Sequence, residues 1–213
     1  MAKYILYDLE IIKAIPDKSP IDGIQYCAGW NDHANMGVSV IGFCQILTGD
    51  DDPFAVLDTR DPLSSFSLSK PDYLIGDEFG LATFAKLAND ADGVIGFNSR
   101  NFDDRVMLAT GWPVATTYDL LEEVRIAAYG SADFRGAPKG HSCKLGKIGD
   151  ANGHPKTGDG ANAAIQWQSG EHKTVIEYCL NDVAITATLL NMGLAGILKD
   201  PNTGAMLKLR SLE

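Results

Sequence analysis

The stretch Tyr4-Ile-Leu-Tyr-Asp-Leu9, with Glu10 directly after it, is a short apolar run that ends in acids. It reads as a strand buried on both faces. Strand side chains alternate, so Asp8 and Glu10 leave the sheet on the same face. Adjacent carboxylates in an apolar neighbourhood raise each other's pKa and cost stability, so a cation or strand-end solvent must relieve them. On these two residues alone, a strand that simply ends at Asp8 is an equally good reading.

Outward from this strand, residues 38–47 predict a second strand, and the turn Thr48-Gly-Asp-Asp-Asp-Pro53 leads to a third at residues 54–57, the three forming an antiparallel meander. From Gly76 the period changes. Phe79, Leu81, Ala82, Phe84, Ala85, Leu87 and Ala88 recur at helical spacing, and residues 93–97 form another short apolar strand. Residues 102–110 predict a helix, 114–118 a short strand and 120–128 a helix. Alternating strands and helices mark an α/β chain. Residues 129–170 are rich in Gly, Ser, Asn and Lys, with short helices near 142–148 and 161–167. A long helix-breaking stretch of this kind in a compact domain usually serves function. Residues 171–193 suit a long, largely buried helix.

The 213 residues, 45% apolar and 22% charged, fit one soluble globular domain spanning 1–213, and the apolar fraction excludes disorder. No uncharged apolar run is long enough for a membrane span. Asp8 and Glu10 interrupt the first apolar stretch, so no signal peptide is expected and the cytoplasm is the predicted compartment. A net charge of −10 argues against a broad cationic surface that coats duplex DNA, while leaving a local nucleic-acid site open. Cys27, Cys44, Cys143 and Cys179 lie too far apart for a zinc knuckle or a redox pair and read as buried, reduced thiols. Gly140 to Lys147 has the wrong glycine spacing for a phosphate-cradling loop. Residues 210–213 are set aside as a remnant of cloning.

Two further acidic elements follow the first. Gly96-Phe-Asn-Ser-Arg-Asn-Phe-Asp-Asp-Arg105 lies where a predicted strand passes into a helix, the place where α/β sheets position reactive groups. In isolation, Asp103 and Asp104 are better read as first-turn acids favoured by the helix macrodipole. Tyr178-Cys-Leu-Asn-Asp182 on the late helix puts a phenol and a carboxylate on one helical face.

Together, Asp8-x-Glu10, Asn98-x-x-x-Phe102-Asp103 and Tyr178-x-x-x-Asp182 resemble the DEDD family of 3′-to-5′ exonucleases, which have the ribonuclease H-like fold. Tyr178 points to the tyrosine branch, which includes proofreading domains of family A and family B DNA polymerases. The histidine branch would want His where this chain has Glu177. Trp30 with Met36-Gly-Val-Ser-Val40, Tyr118-Asp-Leu-Leu121, and Lys156-Thr-Gly-Asp-Gly160 followed by Trp167 resemble polymerase-B-like members, so the likeness runs from Tyr4 to about Leu190. Ile11 departs from the Thr that many members carry there.

The resemblance implies an α/β ribonuclease H-like fold: a mixed central sheet of about five strands, one antiparallel, flanked by helices. It implies 3′-5′ exonuclease activity, the hydrolysis of phosphodiester bonds at the 3′ end of single-stranded DNA or RNA, with two Mg²⁺ or Mn²⁺ ions as cofactors. Hard divalent ions take oxygen ligands, and four carboxylates match the charge of two of them. By this resemblance Asp8, Glu10, Asp103 and Asp182 hold metal, Asp103 mainly through water, and Tyr178 orients the attacking water. Leu9, Asn98 and Phe102 are candidate contacts to the terminal nucleotide, although Phe102 also suits a core position. Lys144 and Lys147 are the candidate phosphate contacts in a basic stretch that equally suits a solvated loop. A polymerase or helicase is the implied partner. The competing readings are a catalytically silent nucleic-acid-binding or scaffold domain and an endonuclease of the same broad fold. Proofreading, repair, RNA turnover and phage replication are all compatible.

Overall fold

The computed structural model describes residues 2–16, 20–48, 66–158 and 160–212. The strands are β1 (Ala2–Ile11), β2 (Val38–Thr48), β3 (Phe66–Leu68), β4 (Asp72–Ile75), β5 (Gly93–Gly96), β6 (Tyr118–Asp119), β7 (Leu198–Lys199) and β8 (Met206–Leu207). The helices are α1 (His33–Met36), α2 (Glu78–Asn89), α3 (Asp103–Ala109), α4 (Leu120–Tyr129), α5 (Leu145–Ala151), α6 (Gly160–Gln168) and α7 (His172–Ala195).

The main sheet runs β3-β2-β1-β5-β6, with β4 also on β2. β2 pairs antiparallel with β1, β3 and β4, while β1, β5 and β6 pair parallel. β3 and β4 occupy successive stretches of the same β2 edge, so the sheet is five positions wide and β2 alone runs against the rest. This is the mixed α/β sheet of a ribonuclease H-like fold, flanked by helices. The third strand expected at 54–57, and the turn from Gly49 before it, lie outside the described residues. The strand expected at 114–118 shortens to Tyr118–Asp119, because the Thr116 amide and hydroxyl both donate to the Asp104 carboxylate instead of joining a ladder.

β1 shows why the sheet is buried on both faces. Tyr4 and Leu6 enter a core with Cys44, Ile46, Leu120, Val124, Ile148, Val183 and Leu189. Ile5, Tyr7, Leu9 and Ile11 enter the opposite core with Phe43, Phe84, Val106 and Met107. The period of two places Asp8 and Glu10 on the Tyr4–Leu6 face, beneath α7. Burying these aliphatic and aromatic side chains contributes roughly 1.5–3 kcal/mol each, the largest favourable term in the fold.

Beyond α7 the chain forms the β7–β8 hairpin, which the sequence reading did not anticipate. Its turn is held by Asp200, whose carboxylate accepts from the Asn202 amide at 2.9 Å and the Thr203 hydroxyl at 2.6 Å. Arg210, set aside above, pairs with buried Glu123, and the Tyr118 hydroxyl donates to its carbonyl.

Candidate active site

Two close approaches bring the acids together. Asp8 lies opposite Gly42 across the β1–β2 ladder. A Cβ at Gly42 would stand 2.9 Å from Cys179 Sγ and 3.2 Å from a Val183 methyl, so glycine lets α7 settle onto the strands. Asp182, one turn after Tyr178, then faces Asp8 and Glu10. Ligand oxygens of Asp8, Glu10 and Asp182 lie within 4.8 Å of one another, Glu10 and Asp182 buried and Asp8 partly exposed. Asp103, buried at the start of α3, accepts from the Leu9 amide at 3.3 Å and lines the same cavity.

Few donors compensate this charge. Burial first, then Asp182, Asp103 and Glu10, raise the Asp8 pKa well above the carboxylate range. Glu10 is raised by burial and then by Asp182. Asp103 is pushed up to about 7, chiefly by burial, with hydrogen bonds from backbone amides opposing. Asp182 is raised by burial, against the pull of the Lys156 ammonium. That ammonium sits 2.6 Å from Asp182 Oδ2 and 5.0 Å from the centre of the Tyr178 ring. Asp182 Oδ1 is buried and has no hydrogen-bond partner. Tyr178 is held well above its ordinary pKa by burial and then by Asp182, Glu10 and Asp8, so it stays a phenol.

Lys156 reaches this position because its loop closes on the Tyr178 ring. A Cβ at Gly158 would stand 2.6 Å from that ring. The sequence marks Lys144 and Lys147 as phosphate contacts and Lys156 as the first residue of the Lys156–Gly160 resemblance, with no pairing to Asp182. The signal was the pair of glycines that follow Lys156, which let backbone approach an aromatic face.

A cavity of about 920 Å³ opens over the acids. Asp8, Glu10, Asp103, Tyr178 and Asp182 line it, as do Leu9, Asn98, Phe102 and Lys144. Leu9 is mostly committed to the core. Asn98 takes a left-handed conformation, φ 62°, and its amide donates to Asp119 at 2.9 Å, which sets the turn into α3. Phe102 is partly buried and packs edge-on against Trp30 and His33. Lys147 is exposed and not part of the cavity wall, since Leu145, Ile148 and Gly149 take the buried side of α5. Asp104 turns away from the cavity: its carboxylate accepts from Tyr7 at 2.6 Å and from the Thr116 amide and hydroxyl, each at 2.8 Å.

Fold and site thus define a ribonuclease H-like α/β chain with an acidic cluster able to hold a metal ion. Among solved structures, the family B DNA polymerase from the hyperthermophilic archaeon Pyrobaculum calidifontis is similar to it, with a TM-score of 0.52 and 13% sequence identity. The match covers 95% of this chain and 26% of that polymerase, so the chain spans about a quarter of its length. At this identity the likeness is one of fold. No family profile and no curated protein matches the chain. Among the described residues no helix is long and apolar enough to cross a membrane.

Proposed function

We propose that residues 1–213 form one exonuclease domain that removes nucleotides from the 3′ end of single-stranded nucleic acid, DNA favoured, with two Mg²⁺ or Mn²⁺ ions. The observation that carries this reading is the convergence of Asp8, Glu10 and Asp182, with Asp103 on the same cavity floor and Asp182 Oδ1 left without a partner. A buried acceptor without a donor costs roughly 1–3 kcal/mol or more when charged, and an oxygen-seeking dication removes that cost. The donor set of three carboxylates suits a hard ion, with the Cys179 thiol beside it donating to Asp8 at 3.8 Å.

Asp8, Glu10 and Asp182 would hold an ion, with Asp103 available for a second; such ions would supply a water of lowered pKa and charge stabilisation of the leaving 3′ oxygen. Lys156 restrains Asp182 through Oδ2, which leaves Oδ1 as the ligand atom. Tyr178, kept protonated, orients the attacking water through its hydroxyl and does not take its proton. Asp103 fixes the distance between β1 and α3 through the Leu9 amide. The motifs that resemble tyrosine-branch exonucleases and a fold shared with a DNA polymerase both support a polynucleotide substrate, and a polymerase or helicase partner belongs to the same proposal.

The test is a 5′-labelled oligonucleotide incubated with Mn²⁺. A ladder descending one nucleotide at a time from the 3′ end is the expected result. Binding without cleavage would favour a silent scaffold domain, and internal cuts an endonuclease; either overturns the proposal.

A further inference from the structure

Two large aromatic side chains line the cavity while standing in solvent: Trp30, 64% exposed, and Phe134, 66% exposed. The other large exposed apolar side chains among the described residues, such as Phe79, Leu108 and Met206, lie away from the cavity. Leaving an aromatic ring largely in water forgoes the favourable burial of its faces, and two such rings on one cavity lip offer surfaces to a ligand's flat faces.

Both rings are presented by ordered backbone. Trp30 lies within a turn closed by Asp32, which accepts from the Ala28 amide at 2.7 Å and the Asn35 side chain at 2.6 Å. Its indole leans edge-on against Phe102, ring centres 6.1 Å apart. Phe134 opens a 3₁₀ turn capped by Asp133, whose carboxylate accepts from the Arg135 amide at 2.9 Å. The two come from separate stretches of chain, one between β1 and β2, the other between α4 and α5. Arg125, Lys144 and Lys156 also line the cavity. Cations suit phosphates, and aromatic faces suit bases. A duplex hides its base faces in its own stack, so only an unpaired strand offers both groups. The 920 Å³ volume lies at the upper end for ligand clefts and leaves room for more than one nucleotide.

We propose that Trp30 and Phe134 are base-stacking platforms, which makes the cavity a site for at least two unpaired nucleotides at a strand's end. This rests on the nucleic-acid reading above and gives Trp30 and Phe134 a role that the acidic motifs do not assign. Sequence tolerance follows, since every base has a face to stack.

The experiment measures binding of a fluorescent, hydrolysis-resistant single strand by anisotropy, alongside the Mn²⁺ ladder assay on an ordinary strand. Trp30→Ala and Phe134→Ala should each weaken binding by about 5- to 100-fold, while Trp30→Phe and Phe134→Tyr recover most of the affinity. Replacing the last two nucleotides with abasic residues should weaken the unaltered protein similarly and leave Trp30→Ala little further to lose. Unchanged binding in both alanine variants, or the same loss on abasic and ordinary strands, overturns the platforms. A ladder with unchanged binding in the variants sinks the platforms and keeps the exonuclease. Weakened binding without any ladder keeps the platforms and sinks the exonuclease.

Discussion

Buried and partly buried carboxylates occur in two regions of this molecule with opposite surroundings. At the junction of β5, β6 and α4, Asp119 accepts from the amides of Asn98, Arg100 and Leu121, Asp104 from Tyr7 and Thr116, and Glu123 from Arg210. On the cavity floor, Asp8, Glu10, Asp103 and Asp182 face one another with Lys156 as the single ammonium paired with them among the described residues. The first region spends its acids on fastening loops, and each accepts from protein donors, although burial still outweighs the amides at Asp119 and raises its pKa. The second keeps like charges close at a cost in stability, in an arrangement able to hold a cation.

The sharpest way to break this contrast lies in neighbours on opposite sides of it. Asp103→Asn should lower Mn²⁺-dependent hydrolysis by at least about 10²–10³-fold, the scale of losing one aligned electrostatic group, while Asp104→Asn leaves most activity in the folded fraction. Equal loss in two folded variants, followed by gel-resolved cleavage, would erase the distinction. Stability should divide the same pair of regions by sign. Asp104→Asn must turn its NH₂ group either toward the Thr116 amide or toward the Tyr7 and Thr116 hydroxyls that now donate to the carboxylate, and loses charge-assisted bonds either way, costing roughly 1–3 kcal/mol. Asp8→Asn removes a repelled charge and should raise the metal-free melting temperature by about 2–4 °C per kcal/mol gained. Calorimetry in chelator reads both, and a fall in each would contradict the repulsion inferred on the floor.

The pH dependence follows from the same repulsion. Asp103 binds its proton more tightly folded, at about 7, than in the unfolded chain, whose carboxylates titrate near ~4. The unfolded state therefore holds fewer protons in that window, so metal-free stability is full below about 4 and declines as pH rises toward about 7. Asp8, Glu10 and Asp182 are shifted in the same direction and steepen the decline. Melting curves from pH 4.5 to 7.5 should fall without metal and flatten with saturating Mn²⁺. A metal-free curve that rises across this range would place the acids in a well-compensated setting after all.

Much of this organisation was legible in residue order. The alternation of Tyr4 to Glu10 gave away both the buried strand and the shared face of its acids, because a period of two survives any tertiary context. Helix α7 was equally plain. Other features depended on contacts distant in sequence. Asp103 and Asp104 are chemically identical first-turn acids; the motif resemblance favoured Asp103, but the donors that make Asp104 structural, the Tyr7 hydroxyl 97 positions away and the Thr116 amide and hydroxyl, show only in the fold. Lys156 stood in a resemblance stretch, but its place over Tyr178 and against Asp182 shows only once the glycine at 158 brings its loop onto that ring. The β7–β8 hairpin spans two-residue strands, too short for any alternation to show. Arg210 was set aside for its terminal position, yet it answers a buried acid 87 residues away.

The smallest expected effect concerns two lysines three positions apart. Lys144 sits at the start of α5 on the cavity wall, whereas Lys147 is exposed and away from it. A lysine that neutralises one phosphate contributes close to one unit to the slope of log affinity against log salt, about 0.7 for a single strand. Lys144→Ala should therefore flatten that slope by about 0.7 and weaken binding evenly across sequences, and Lys147→Ala should leave the slope as it was. Titrations between 50 and 300 mM salt, roughly the range over which phosphate contacts dominate, resolve a change of this size. Equal flattening by both would mean that the strand leaves the cavity over α5 and that the basic wall extends beyond the residues named for it.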